Sequence, residues 1–248
     1  LELVVRVMAF APKLAATLAK RPAVLDALLD PSFFGPFEID TGETAHWARE
    51  GFEEAMDTAR RYHREQSFRI GVQVMGATAT ARQAGAAFAD LADAVMAGLA
   101  PVALIETQRM GGVFPGEVAV VALGKYGSRE MSAGSDLDLM TVYRAAAPDA
   151  VSDGKGWAAE KFYGRFTQRL VAALSSPTAE GPLYEVDLQL RPSGTQGPVA
   201  VSLTAFETYY AGEAETWELL ALTRARVAWA SSEAFGAEVA AAVEAALR

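Results

Sequence analysis

The texture of this 248-residue chain changes near position 105, and that change constrains the fold more than any other feature. The first hundred residues read as helices. Leu14, Leu18, Val24, Leu25, Leu28 and Leu29 fall at helical spacings, with Pro12 and Pro22 placed to start helices. Asp30-Pro31 and Gly35-Pro36 mark a loop. Helical patterning resumes at Thr44, a cap whose box is incomplete because Trp47 stands where Glu or Gln is expected. The alanine-rich stretch 79–105 carries Phe88, Leu91, Val95 and Leu99 on one side and predicts a long helix ending near Pro101.

Strands begin beyond it. Residues 117–123 hold three valines and stop at Gly124, the mark of a short buried strand. Residues 137–143 follow as a second strand, and 183–190 alternate so cleanly that they form the best strand of the chain. Between them, 157–174 place Phe162, Phe166, Leu170 and Leu174 one helical turn apart. Thr204-Ala205-Phe206-Glu207 is a capping box that opens a further helix. The order predicts an α+β fold: a helical lobe over 1–105, a mixed sheet with flanking helices over 106–203, and C-terminal helices over 204–248. The chain opens on Leu1, and 233–248 stop inside a helical pattern without a cap, so a piece of a longer protein is expected.

Composition excludes several chemistries. The chain has no cysteine, which removes disulfides, thiolate metal sites and cysteine nucleophiles, and fits a cytoplasmic location. With only His46 and His63, a site of several histidines is not expected. A net charge of −9 argues against a protein that grips long nucleic acid. The longest apolar run, 94–105, is interrupted by Pro101 and is too short to span a bilayer, so no membrane partner is expected.

The chemistry concentrates in two segments. In Gly134-Ser135-Asp136-Leu137-Asp138-Leu139, residues two apart on a strand share a face, about 6.5 Å apart. Asp136 and Asp138 then converge, while Leu137 and Leu139 face a core. Two carboxylates this close repel unless a cation lies between them, and Mg²⁺ prefers such oxygen ligands. A lone Asp-x-Asp is most often a solvated strand edge. Asp187 changes that weighing, because Glu185, Asp187 and Gln189 share the polar face of 183–190. If that strand lies beside the first, three carboxylates meet and two metal ions could serve an attacking oxygen and a departing pyrophosphate. The preceding loop, from Gly124-Lys125 through Gly127-Ser128-Arg129, offers backbone N–H groups and two cations to phosphate oxygens.

The loop and the Asp-x-Asp strand resemble the nucleotidyltransferase superfamily of DNA polymerase β, in which a Gly-Ser or Gly-Gly pair precedes such a strand. Gly124-Lys125 lies at a suitable distance with lysine in place of a small residue. Gly127-Ser128 has the right residues but lies closer, so which pair meets phosphate is open. A narrower resemblance is to the glutamine synthetase adenylyltransferase family. It rests on residues 124–131, on Ser135-Asp136-Leu137-Asp138-Leu139, and on the stretch from Val186 through Arg191-Pro192-Ser193-Gly194. Thr216-Trp217-Glu218 and Arg224-Ala225-Arg226 look like the family's following helix, and Arg64-Glu65-Gln66 with Arg69-Ile70 fits its helical lobe. Tyr126 stands where the family has leucine, a change read as harmless, and Gln189 stands where it has arginine.

That resemblance implies transfer of AMP from ATP to a tyrosine hydroxyl of glutamine synthetase, regulating nitrogen assimilation. Asp136, Asp138 and Asp187 would be both the catalytic residues and the ligands of two Mg²⁺ ions. Gly124, Lys125, Gly127, Ser128, Arg129, Ser135 and Arg191 would bind nucleotide and phosphate. Arg-Pro-Ser-Gly and the Glu-Thr-Trp-Glu helix point to the C-terminal, adenylylating half of that bifunctional enzyme. A nitrogen-signalling protein would act through regions outside this chain. The alternatives are the phosphorolytic, deadenylylating half and a nucleotide-binding regulatory module without turnover. A sugar transferase with a metal-binding Asp-x-Asp is poorly supported by the glycine loop and Asp187.

Overall fold

The computed structural model describes Gly35 and residues 44–248. The helix starts at Pro12 and Pro22, the apolar positions from Leu14 to Leu29 and the Asp30-Pro31 loop lie outside the described residues. Thr44 is itself helical, and a 3₁₀ turn, His46–Arg49, follows it. The long helix α1 (Phe52–Met75) starts instead after an extended Gly51. Helix α2 (Ala81–Gly111) opens on a complete capping box, in which the Gln83 N–H donates to Thr80 Oγ1 and the Thr80 N–H to Gln83 Oε1.

Helix α2 does not end near Pro101 but runs through it for 31 residues, crossing position 105 without a break. An interior proline costs roughly 3 kcal/mol. Leu99, Ala100, Val102 and Ala103 are buried on both sides of it, so packing holds the helix together across the lost hydrogen bond. The helix is long and apolar enough to cross a bilayer, more so than the run 94–105 implied, yet 67% of its most apolar window is buried inside this fold.

The chain then builds a mixed sheet. Strand β1 (Gly116–Ala122) passes through the short turn α3 (Gly124–Gly127) to β2 (Leu137–Ala145), with which it pairs antiparallel. Helix α4 (Ala159–Ser175) crosses over, and β3 (Val186–Asp187) and β4 (Ala200–Ser202) return parallel to β2, the first beside its start and the second beside Thr141–Tyr143 in its middle. After α5 (Leu203–Gly212) and α6 (Thr216–Leu222), β5 (Arg226–Ala230) pairs antiparallel with the free side of β1. Helix α7 (Glu233–Ala246) closes the fold.

Both faces of the sheet are covered. Val118, Val120 and Ala122 of β1, with Leu137 and Leu139 of β2, join the core shared with α1, α2 and α4. The alternate residues Ala119, Val121, Met140 and Val142 enter a second core with Phe206 of α5 and Phe235 and Val239 of α7. Burial on both faces is why β1 reads as a nearly continuous apolar run.

Three expectations change. The eight-residue strand over 183–190 shrinks to Val186–Asp187. The Gln189 N–H donates to Asp187 Oδ1 (2.7 Å) and Arg191 claims the Leu188 carbonyl, so the chain turns away from the ladder. Leu190 therefore leaves the face of Tyr184, Val186 and Leu188 and packs in the second core. Helix α5 is capped by Ser202, whose Oγ accepts the Ala205 N–H (3.2 Å), two residues ahead of the Thr204 box. The helix expected to carry both Thr216-Trp217-Glu218 and Arg224-Ala225-Arg226 runs only over Thr216–Leu222, and Arg226 already belongs to β5, whose five half-buried residues show no alternation.

Candidate active site

The β2–β3 pair sets the centre. The Leu137 N–H donates to the Glu185 carbonyl (2.9 Å), and one residue on, Asp138 lies level with Asp187 in the parallel register. Leu137 and Leu139 are buried on the α2 side, so alternation turns Asp138 to the opposite face, and Asp136, just ahead of the strand, lies close enough to act on its carboxyl. Val186 packs toward the α2 side as well, which leaves Asp187 on the aspartate face. The three charges feel one another. Burial pushes the Asp138 carboxyl above its ordinary range, Asp136 and Asp187 push it further, and the Lys125 ammonium pulls it back.

The glycine turn is pressed against this group. Just past β1, the Leu123 N–H donates to the Asp138 carbonyl (2.9 Å), and Gly124 then takes a left-handed φ of 52°. A Cβ on Gly124 would lie 2.0 Å from Asp138 Oδ2, so only glycine lets the backbone pass the carboxylate here. The turn closes when the Gly127 N–H donates to the Leu123 carbonyl (2.7 Å), and Lys125 projects exposed from it.

The other residues singled out from sequence are engaged elsewhere. Gly127 is a packing glycine: a Cβ there would lie 2.0 Å from the Arg224 carbonyl. Ser128 Oγ donates to Glu130 Oε2 (3.0 Å). Arg129, at φ 61°, forms ion pairs with Asp90 and Asp93 of α2. Ser135 is buried and its Oγ accepts the Ser132 N–H (2.9 Å), which shapes the turn before Asp136. Arg191 is buried and donates to the carbonyls of Leu188, Gly197 and Pro198, tying down the loop after β3. Asp136, Asp138, Asp187, Gly124 and Lys125 are thus brought together, and Gly124-Lys125 rather than Gly127-Ser128 lies against the aspartates. Sequence reading missed Asp90, Asp93 and Arg226, which stand behind the glycine turn. Their only signal was acidic positions on an apolar helix and an arginine-rich tripeptide.

Among the described residues, no three Asp, Glu, His or Cys side chains close on one point as a ready cluster of metal ligands. The donor set still fits a hard divalent cation. It is all oxygen, and the mutual repulsion that lifts Asp138 is what a cation would relieve. Mg²⁺ commonly takes one or two carboxylates and completes its shell with water and substrate phosphates, so a preformed protein cage is not required.

A mixed sheet with an Asp-x-Asp at the start of a central strand, a third aspartate level with it on the parallel neighbour and a glycine turn against Asp138 is an α+β architecture that fits a nucleotidyltransferase-like fold. More narrowly, the chain belongs to the glutamate-ammonia ligase adenylyltransferase family, whose model matches residues 1–242. It is 68% identical over its whole length to the bifunctional glutamine synthetase adenylyltransferase/adenylyl-removing enzyme of Caulobacter vibrioides, covering 25% of that protein. The enzymes of the same description from Xanthobacter autotrophicus and Rhizobium meliloti are 46% and 44% identical over 96% and 91% of the chain. The chain spans about a quarter of the length of each of these relatives.

Proposed function

We propose that this segment is the adenylylating centre of its parent protein, moving AMP from ATP to a tyrosine hydroxyl of glutamine synthetase in a Mg²⁺-dependent reaction. The observation that carries the reading is the level placement of Asp138 and Asp187, with Asp136 close enough to act on the Asp138 carboxyl and Gly124 against Asp138. The names of the relatives supply the protein substrate, and the motifs Arg191-Pro192-Ser193-Gly194 and Glu215-Thr216-Trp217-Glu218 favour the adenylylating direction.

Asp136, Asp138 and Asp187 would hold two Mg²⁺ ions, which supply Lewis-acid charge to the phosphate oxygens and to the attacking oxygen. With no side chain on Gly124 the backbone lies directly against Asp138, and the Lys125 charge acts on the same carboxylate. The tyrosine oxygen attacks the α-phosphorus, the bond to pyrophosphate breaks, and Asp187 accepts the phenolic proton. A free phenol has a pKa of about 10, so a carboxylate beside the nucleophile is needed near neutral pH.

The test supplies the intact protein with glutamine synthetase and ATP labelled at the α-phosphate. Label on tyrosine with release of pyrophosphate is expected, and chelation of Mg²⁺ should abolish it. ADP formation from adenylylated glutamine synthetase and phosphate, traced to this segment and without forward transfer, would assign the deadenylylating direction instead. ATP binding with neither reaction would leave a regulatory nucleotide site.

A further inference from the structure

The glycine turn is fastened from behind by helix α2. Tyr126, the third residue of the turn, is fully buried, and its Oη donates to Asp93 Oδ1 (2.7 Å). The same carboxylate oxygen accepts Arg226 Nη2 of β5 (2.8 Å), and Arg129 Nη1 lies 3.6 Å from the other oxygen. Arg226 also donates to the Tyr126 carbonyl (3.3 Å), with its guanidinium 4.8 Å from the centre of the Tyr126 ring. One side chain of α2 therefore ties together the turn, Arg129 just beyond it and strand β5.

This fastening governs the site because of what lies two residues earlier. Gly124 has no free space on its Asp138 side, so any displacement of Tyr126 moves Gly124 and Lys125 relative to the carboxylate. Leucine, which stands here in the resembling motif, would fill apolar space but has no hydroxyl for Asp93. A buried tyrosine bonded to a carboxylate gives up the hydration of its hydroxyl, a cost an apolar residue does not carry, and what it gains is direction.

We propose that Tyr126 and Asp93 are a positioning pair that sets the Gly124-Lys125 turn against Asp138 to receive the phosphates of the nucleotide. The role rests on the nucleotidyl-transfer reading, and two kinds of failure can be told apart. Tyr126→Phe, Asp93→Asn and the double variant are made in the intact protein, and Mg²⁺-ATP affinity, transfer kinetics and thermal unfolding are measured on each. Tyr126→Phe should weaken ATP binding and raise KM for ATP by about five- to tenfold, a fraction of the full worth of one hydrogen bond to a charged group because the nucleotide feels the loss only through the turn. KM for the protein substrate should stay unchanged. The double variant should bind ATP about as weakly as the worse single one, because both changes break the same link. Asp93→Asn disturbs two arginines as well, so Tyr126→Phe, which removes one oxygen, decides if the other variants do not fold. Unchanged ATP affinity with only a lower Tm would make the pair a structural clamp and overturn the proposal. A wild-type protein that neither binds ATP nor transfers AMP would sink the functional reading, and the positioning role with it.

Discussion

Asp138 and Asp187 stand level with each other across a parallel strand pair only two residues long. So short a ladder does not hold its own register. The crossover helix α4 delivers the second strand, with the Tyr184 N–H bonded to the Leu174 carbonyl (3.0 Å), and the Asp187 side chain ends it by accepting the Gln189 N–H. Local contacts around each aspartate, rather than a long strand, set the carboxylate geometry.

The charge crowding at Asp138 predicts a conflict between stability and function. Its folded pKa is raised, by burial first and then by Asp136 and Asp187, above the ordinary 3.8. The folded chain therefore holds this proton more tightly than the unfolded one, and stability falls as pH rises from 3.8 to the raised value and stays lower above it. Asp138→Asn should be at least as stable as wild type at pH 7 and inactive. Its advantage should shrink on acidification through that window. Saturating Mg²⁺ should also shrink it, by stabilising only the wild type. Thermal unfolding at several pH values, with and without Mg²⁺, measures this, and a variant less stable than wild type at neutral pH contradicts it.

Gly124→Ala should be far more harmful than an ordinary turn substitution. The left-handed backbone alone costs about 1–2 kcal/mol for a residue with a Cβ. The new methyl would also overlap Asp138 Oδ2. We expect a stability loss of about that size, read from the denaturant midpoint, and a fall in kcat/KM of about a hundredfold or more, since Asp138 itself must move. Equal, small losses in both would show that the turn has slack.

Arg191 should behave as a fixture of the loop. Lysine cannot serve the three carbonyls that its guanidinium reaches, so Arg191→Lys should lower stability by about 2–4 kcal/mol through unsatisfied buried acceptors. ATP affinity should change by only a few fold. Loss of ATP binding at unchanged stability would instead make Arg191 a phosphate ligand.

The sequence carried the site's centre better than its frame. The period-2 pattern around Leu137 and Leu139 placed Asp136 and Asp138 on one face, and the polar face of 183–190 brought Asp187 to them. The same pattern overstated β3, because alternation records which side chains are buried and not whether the backbone still pairs. Pro101 misled for a related reason: propensity is local, whereas the buried residues flanking it belong to the whole core. Strand β5 has five half-buried residues and no period to detect. The three loop and strand arginines are alike on paper, yet Arg129 and Arg226 reach the carboxylates of α2 and Arg191 reaches carbonyls. Only the packed fold distinguishes them. In sequence Tyr126 is a harmless exchange for leucine, and nothing local to it announces a bond to a residue 33 positions away.

The most direct test of the central claim, that three aspartates on two strands form one reaction centre, is Asp187→Asn measured two ways in the intact protein. Asp136 and Asp138 would hold the nucleotide with its ions, whereas Asp187 acts where charge and a proton move as the tyrosine attacks. Calorimetry should therefore find Mg²⁺-ATP affinity within a few fold of wild type. A single-turnover assay with glutamine synthetase should find the rate of AMP transfer lower by about a hundredfold or more, the signature of an interaction made in the transition state. Transfer at a near-normal rate would show Asp187 to be only a polar strand position and would contradict the account.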